Sequence, residues 1–135
     1  MIKAVIDTTV FLSALFWNGK PKQVIELALE KKIVGVTAPE ILSELEEKLL
    51  LKFKYPKNQI DSYLKLIIEN FEVVKPKIKV DVVKDDSDDN KIIEAALESK
   101  AKYIVTGDKH LLNIDSYQKI IIMTPNQFIQ TTTKH

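Results

Sequence analysis

Short, mainly apolar runs alternate along this chain with longer stretches of helical period, and no other feature limits the possible folds as tightly. Lys3 to Asp7 (KAVID) is an apolar run ended by an acid. Val34 to Val36, Phe71 to Val74, Tyr103 to Thr106 (YIVT) and Lys119 to Met123 (KIIIM) are further short runs of the same kind. Such runs suit strands buried on both faces. Between them, Pro21 to Lys31 carries Val24, Ile25, Leu27 and Ala28, with Pro21 suited to a first helical turn. Pro39 to Lys52 aligns Ile41, Leu42, Leu45 and Leu49, and Lys57 to Asn70 aligns Ile60, Leu64, Ile67 and Ile68 after a break at Tyr55-Pro56. Asp88 to Lys100 is expected to be a helix, Lys109 to Asn113 a helical turn and Pro125 to Ile129 a short terminal helix. Lys75 to Val83 reads equally as an edge strand or an extended linker, and the TTTKH end is expected to fray. Strands alternating with helices imply right-handed crossovers and a mainly parallel sheet covered on both faces, an α/β architecture.

At 135 residues, 45% apolar and 29% charged, the chain is expected to be one globular domain over residues 1–135. No apolar run approaches the roughly 18 residues of a membrane span, and the start MIKAVIDTTV lacks the shape of a signal peptide, so a cytoplasmic protein is expected. There is no cysteine, and the histidines are His110 and His135, which excludes thiolate metal sites and makes zinc a poor fit. A net charge of +1 gives no global basic signal, so an anionic partner must be held by a local patch or through a metal. All 20 basic residues are lysine, which supplies point charges rather than the guanidinium fork that reads guanine. Sequence-specific readout of duplex DNA is therefore disfavoured.

The acids are unevenly placed. Ligands of open parallel sheets bind outside the carboxyl ends of the strands, and two acids stand there: Asp7 closes the first run, and Asp108 follows YIVT across a TG turn. Either alone could be a turn residue or helix N-cap. DDSDDN, Asp85 to Asn90, adds four carboxylates before a helix, where one or two would suffice to cap it. On a helical wheel Asp89 shares its face with Ile92, Ile93 and Ala96 and should point inward. Asp85, Asp86 and Asp88 have no such phase, and Asp86 or Ser87 could cap. In Pro39 to Lys52, Glu47 lies toward solvent while Glu44 and Glu46 flank the apolar stripe, and periodicity does not choose between those two. Carboxylates of such a set at about 5 Å would repel by roughly 3 kcal/mol per pair at an effective dielectric near 20. They must protonate, splay apart or bind a cation, and all-oxygen ligands suit Mg²⁺ or Mn²⁺.

DTTVFLSAL, ILSELEEKL, DDSDDNKIIEAAL and YIVTGDKHLL, in that order through nearly the whole chain, resemble the PIN domain family, in particular the bacterial and archaeal VapC-like toxins of toxin–antitoxin systems. The resemblance implies a three-layer α/β/α sandwich and a metal-dependent endoribonuclease hydrolysing RNA with one or two Mg²⁺ or Mn²⁺ ions. It implies an acidic set of Asp7, Glu44, Asp89 and Asp108, catalytic and metal-binding, and so selects Glu44 over Glu46. Thr106 and Thr8 also match, as secondary positions. A cognate antitoxin and a homodimer are implied as partners. Two positions depart from the family: Thr9 stands where many relatives carry Asn, bearing on the orientation of Asp7, and Ser87 where this subgroup often has Pro. Lys20, Lys22, Lys91, Lys109 and His110 flank these segments and could guide a single strand.

Other readings predict different residues. A non-catalytic PIN-like module that binds RNA or protein would have little reason to keep four clustered carboxylates. An RNA-processing nuclease outside any toxin–antitoxin system would share the chemistry. An aspartyl-nucleophile phosphatase would carry a second Asp where Thr9 stands, and a receiver domain would hold its acidic pair near the first strand.

Overall fold

β1 (Lys3–Ile6) lies inside a sheet of order β3-β2-β1-β4-β6-β5, with parallel neighbours on both sides. Ala4, Val5 and Ile6 are each fully buried. Because successive side chains of a strand point to opposite faces, both faces of the sheet are covered. The computed structural model describes residues 1–82 and 87–133. From β1 the chain runs through α1 (Thr8–Phe16) and α2 (Lys20–Leu29) to β2 (Val34–Thr37), then through α3 (Pro39–Glu47) and α4 (Lys57–Asn70) to the edge strand β3 (Glu72–Val73). It returns through α5 (Ser87–Ser99) to β4 (Tyr103–Val105) on the opposite side of β1. α6 (Lys109–Ile114), β5 (Ser116–Tyr117), β6 (Ile120–Met123) and α7 (Pro125–Thr133) complete the order. The result is the expected α/β/α sandwich, parallel except where β5 pairs antiparallel with β6.

Several expectations change. α1 gave no periodic signal because Val10, Phe11, Leu12, Ala14, Leu15 and Phe16 are apolar nearly all round, as a helix pressed between neighbours requires. The Pro39 to Lys52 helix ends at Glu47 and continues as a π-helical turn, Lys48–Lys52, closed by the Phe53 N–H on the Lys48 carbonyl at 3.1 Å. That wider turn breaks the 3.6-residue phase, so Leu50 and Leu51 face solvent. The antiparallel β5 was not foreseen; two residues are too few to show a period. Thr131–Thr133 do not fray but extend α7, with their hydroxyls on the carbonyls of Gln127, Ile129 and Gln130. Asp86, offered above with Ser87 as a possible cap, lies outside the described residues, as do Val83, Lys84, Asp85, Lys134 and His135.

The ambiguous segment after β3 is neither a strand nor a loose linker as far as Val82. Its N–H groups at Lys77, Val80 and Val82 donate to Glu98 Oε1 (2.8 Å), Glu94 Oε2 (3.0 Å) and Asn90 Oδ1 (2.9 Å). Those acceptors are spaced i, i+4, i+8 along α5, so one polar stripe of the helix takes the place of a neighbouring strand. Buried Glu94 is thereby satisfied by backbone.

Two contacts fix the helical layer. Gly35 of β2 faces Phe71, and a Cβ there would stand 2.6 Å from the ring's Cδ2 and 3.0 Å from Ala28 Cβ. Tyr63 of α4 donates its hydroxyl to the Phe11 carbonyl at 2.7 Å, and burial pushes its phenol above the ordinary 10.0. Gly35→Ala is expected to lower stability by about 1–3 kcal/mol through overpacking, read as a reduced urea midpoint. As pH rises past about 10, the folded state keeps a Tyr63 proton that the unfolded chain loses, so stability falls. Tyr63→Phe should cost about 0.5–1.5 kcal/mol at neutral pH, yet flatten that alkaline decline in thermal melts.

Candidate functional site

The chain moves outward from β1 to β2 and β3 and then reverses to β4, so the crevice between the carboxyl ends of β1 and β4 is the point where strand order switches. Register sets Ile6 beside Val105, and the Asp7 N–H donates to the Val105 carbonyl at 3.0 Å. The residue after each strand, Asp7 on one and Thr106 on the other, is thus brought side by side from 99 positions apart.

Asp7 stands at the N-cap position of α1 without capping it. Its Oδ2 instead accepts from Thr106 Oγ1 at 2.7 Å and from Thr9 Oγ1 at 2.8 Å. The same two hydroxyls accept in turn: Thr9 from the Gly107 N–H at 3.0 Å and Thr106 from the Asp108 N–H at 2.9 Å. These bonds form a closed clasp across the two loops, with Asp7 only 5% exposed. Because both hydroxyls fall on Oδ2, Oδ1 has no hydrogen-bond partner among the described residues.

Asp108 does act as a cap: its Oδ1 accepts from the His110 N–H at 2.8 Å at the start of α6. Asp89, in the first turns of α5, is 6% exposed, as the wheel required. Ile92, Ile93 and Ala96 of the same face are buried. Glu44 comes from α3. Asp7, Glu44, Asp89 and Asp108 therefore line one cleft of about 230 Å³, whose wall is completed by Thr9, Glu47 and Lys48.

Glu46 is not there; it lies 4.0 Å from Lys57 Nζ. Glu47, read above as a solvent-side residue, is exposed but sits on the cleft rim. The signal that could have placed it is the i, i+4, i+7 stripe Glu40, Glu44, Glu47, which also borders an adjoining hollow of about 370 Å³ with Ser43 and Lys91. Thr8 is fully buried, lines neither hollow, and its hydroxyl has no partner among the described residues. Thr9, the departure from the family pattern, is one of the two residues whose hydroxyls hold Asp7. Lys20, Lys22, Lys109 and His110 are exposed.

The donor set is all oxygen and faces one cleft, which suits a hard divalent cation. Among the described residues, however, no three acidic or histidine side chains are gathered tightly enough to close a cage around an ion. The physical reason is that the carboxylates are engaged nearer at hand: Asp7 by two hydroxyls, Asp108 by a backbone N–H and Glu44 by Lys48 at 3.1 Å. The Lys48–Glu44 pair is partly exposed and spaced i, i+4. Such pairs contribute only about 0.3–0.5 kcal/mol, so it is the weakest of these attachments.

Comparison with known proteins agrees with this fold. The family model described as PIN domain matches residues 3–110. The chain is similar to an uncharacterized protein of Methanocaldococcus jannaschii, with 38% identity over 98% of this chain and 93% of that protein. In fold it is similar to the structure of VapBC2 from Rickettsia felis bound to a DNA fragment from their promoter, with a TM-score of 0.65, 17% identity, and 91% of this chain and 98% of that chain covered. It is also similar to FitAcB from Neisseria gonorrhoeae, with a TM-score of 0.57, 13% identity, and 90% and 97% covered.

Thr106→Val removes both a donor to buried Asp7 and the acceptor of the Asp108 N–H, and is expected to cost about 1–3 kcal/mol in urea denaturation. Thr106→Ser keeps the hydroxyl and should stay within about 1 kcal/mol of the parent.

Proposed function

The chain belongs to the PIN domain family, and on that premise we propose that it is a metal-dependent endoribonuclease whose cleft of Asp7, Glu44, Asp89 and Asp108 hydrolyses RNA phosphodiester bonds. The observation that carries the reading is that two carboxylates nine-tenths buried, Asp7 and Asp89, line the same cleft as Asp108 and Glu44. Four carboxylates gathered in one cleft repel one another unless a cation offsets their charge. A divalent cation does so while creating a centre for phosphate chemistry. Its identity as Mg²⁺ or Mn²⁺ follows from the donor chemistry, oxygen throughout.

When bound, the ion would acidify a water and offset charge on the phosphodiester oxygens. Asp7 and Asp108 would serve as direct ligands, and Glu44 and Asp89 would bind directly or through water. The clasp from Thr9 and Thr106 holds Asp7 through one oxygen and so fixes its orientation, leaving the other oxygen as the one that would ligate an ion. Thr106 therefore has a positioning role. Lys48, on the cleft wall and paired with Glu44, would offer a cation to a phosphate bound there.

The likeness to VapBC2 and FitAcB supports a toxin with a cognate antitoxin, and we read the chain as a single PIN domain that works as a homodimer. The same chemistry would also serve RNA processing outside such a system. Among the described residues, no helix is long and apolar enough to cross a membrane, which accords with a cytoplasmic site of action. The Lys48–Glu44 ion pair favours one second reading, a PIN-like module that binds without cutting and keeps Glu44 neutralised by lysine.

Asp7→Asn should leave the fold intact and lower Mg²⁺-dependent cleavage of single-stranded RNA by about 100-fold or more, the scale of losing one preorganised electrostatic contact. Equal, EDTA-resistant cleavage by both proteins would overturn the nuclease reading. Calorimetric titration with Mn²⁺ separates the second reading, which requires that no saturable binding be lost in Asp89→Asn.

A further inference from the structure

An acidic cleft repels a polyanion, so attraction for RNA must come from elsewhere on the surface. Residues 8–25 and 48–60 contain no Asp or Glu and carry Lys20, Lys22, Lys48, Lys52, Lys54 and Lys57, although the whole chain is only +1. Both segments begin at the cleft, with Thr9 in one and Lys48 in the other. They meet again at an aromatic cluster: the Phe16 ring lies 5.8 Å from Trp17, 4.9 Å from Phe53 and 5.5 Å from Tyr55. Trp17 is 63% exposed, and Phe53 is exposed with Lys52 Nζ 5.6 Å from its ring centre. Among the described residues, Lys20, Lys52 and Lys54 have no carboxylate within ion-pair distance. Exposed rings interleaved with unpaired lysines, near a phosphodiester-cleaving site, match the chemistry that binds single strands: bases stack on the rings and phosphates follow the ammonium groups.

We propose that Trp17 and Phe53, with Lys52, Lys54 and Lys20, form a stacking platform that holds single-stranded RNA on the approach to the acidic cleft. The proposal rests on the nuclease reading for its substrate class, but it concerns binding and not cleavage. From Thr9 to Phe16 along α1 is about 10 Å, which a stacked strand rising about 3.4 Å per nucleotide covers in about three nucleotides. The platform thus accounts for affinity that the carboxylates cannot supply, and it makes short oligonucleotides poor substrates.

Trp17 is the only tryptophan, so its emission reports on the platform alone. The test uses the full chain carrying Asp7→Asn, in EDTA, titrated with oligouridylate, so that neither metal nor cleavage enters. Saturable quenching of Trp17 that weakens with salt is expected. Anisotropy of a labelled oligouridylate should show about 5- to 100-fold weaker binding for Trp17→Ala. Lys52→Ala with Lys54→Ala should reduce the slope of log affinity against log salt by about 1.4, with melting curves unchanged. Unmoved Trp17 emission, or affinity indifferent to these substitutions, would overturn the platform. So would emission that changes with protein concentration alone as the mass doubles, which assigns the face to a second copy. If Trp17 responds as expected while cleavage by the Asp7-intact protein resists EDTA, the nuclease reading fails and the platform stands.

Discussion

The parallel pairing of β1 with β4 is the constraint on which the rest depends. It lies where the chain, having built one half of the sheet outward, returns to build the other, and it brings Asp7 to Thr106 and Asp108. One backbone bond, Asp7 N–H to the Val105 carbonyl, fixes the register, and two hydroxyls on Asp7 Oδ2 lock the loops that follow. A one-residue slip would turn Ile6 and Val105 to the opposite faces and carry Asp7 away from Thr106.

Like charges gathered in one cleft must be restrained by something. Here each restraint is local and modest. A hydroxyl or amide bond contributes about 0.5–1.5 kcal/mol, and the Lys48–Glu44 pair less. The restraints are also graded by position. Asp7 is held from two strands' loops, Asp108 from its own helix start, and Glu44 only by a lysine one turn away. Of these three, Glu44 on the cleft wall is thus the least constrained. This suits the proposed role of the cleft, which would admit a cation and a phosphate together.

Two irregularities serve the same region. The segment from Lys77 to Val82 is strapped onto α5 through Glu98, Glu94 and Asn90, which pins the helix whose first turns hold Asp89. The π-helical turn at Lys48–Lys52 ends α3 just after Glu47, swings Leu50 and Leu51 outward and delivers Phe53 to Phe16. Neither follows from propensity; both are consequences of where neighbouring elements already stand.

The sequence by itself determined the α/β alternation, the bounds of α4, the inward face of Asp89 and the acids at the ends of β1 and β4, because each depends on period or on an adjacent turn. It did not reveal α1, whose apolar surface is buried nearly all round, nor β5, which is too short to show alternation. Nor could it tell a capping carboxylate from a clasped one: Asp7 and Asp108 both follow a strand and precede a helix, yet only Asp108 caps. Lys48 was equally out of reach, because a wheel tells inside from outside but not which stretch of the outside borders a cleft. Those choices belong to tertiary structure, since they turn on which hydroxyl, amide or ammonium the fold brings within 3 Å or so.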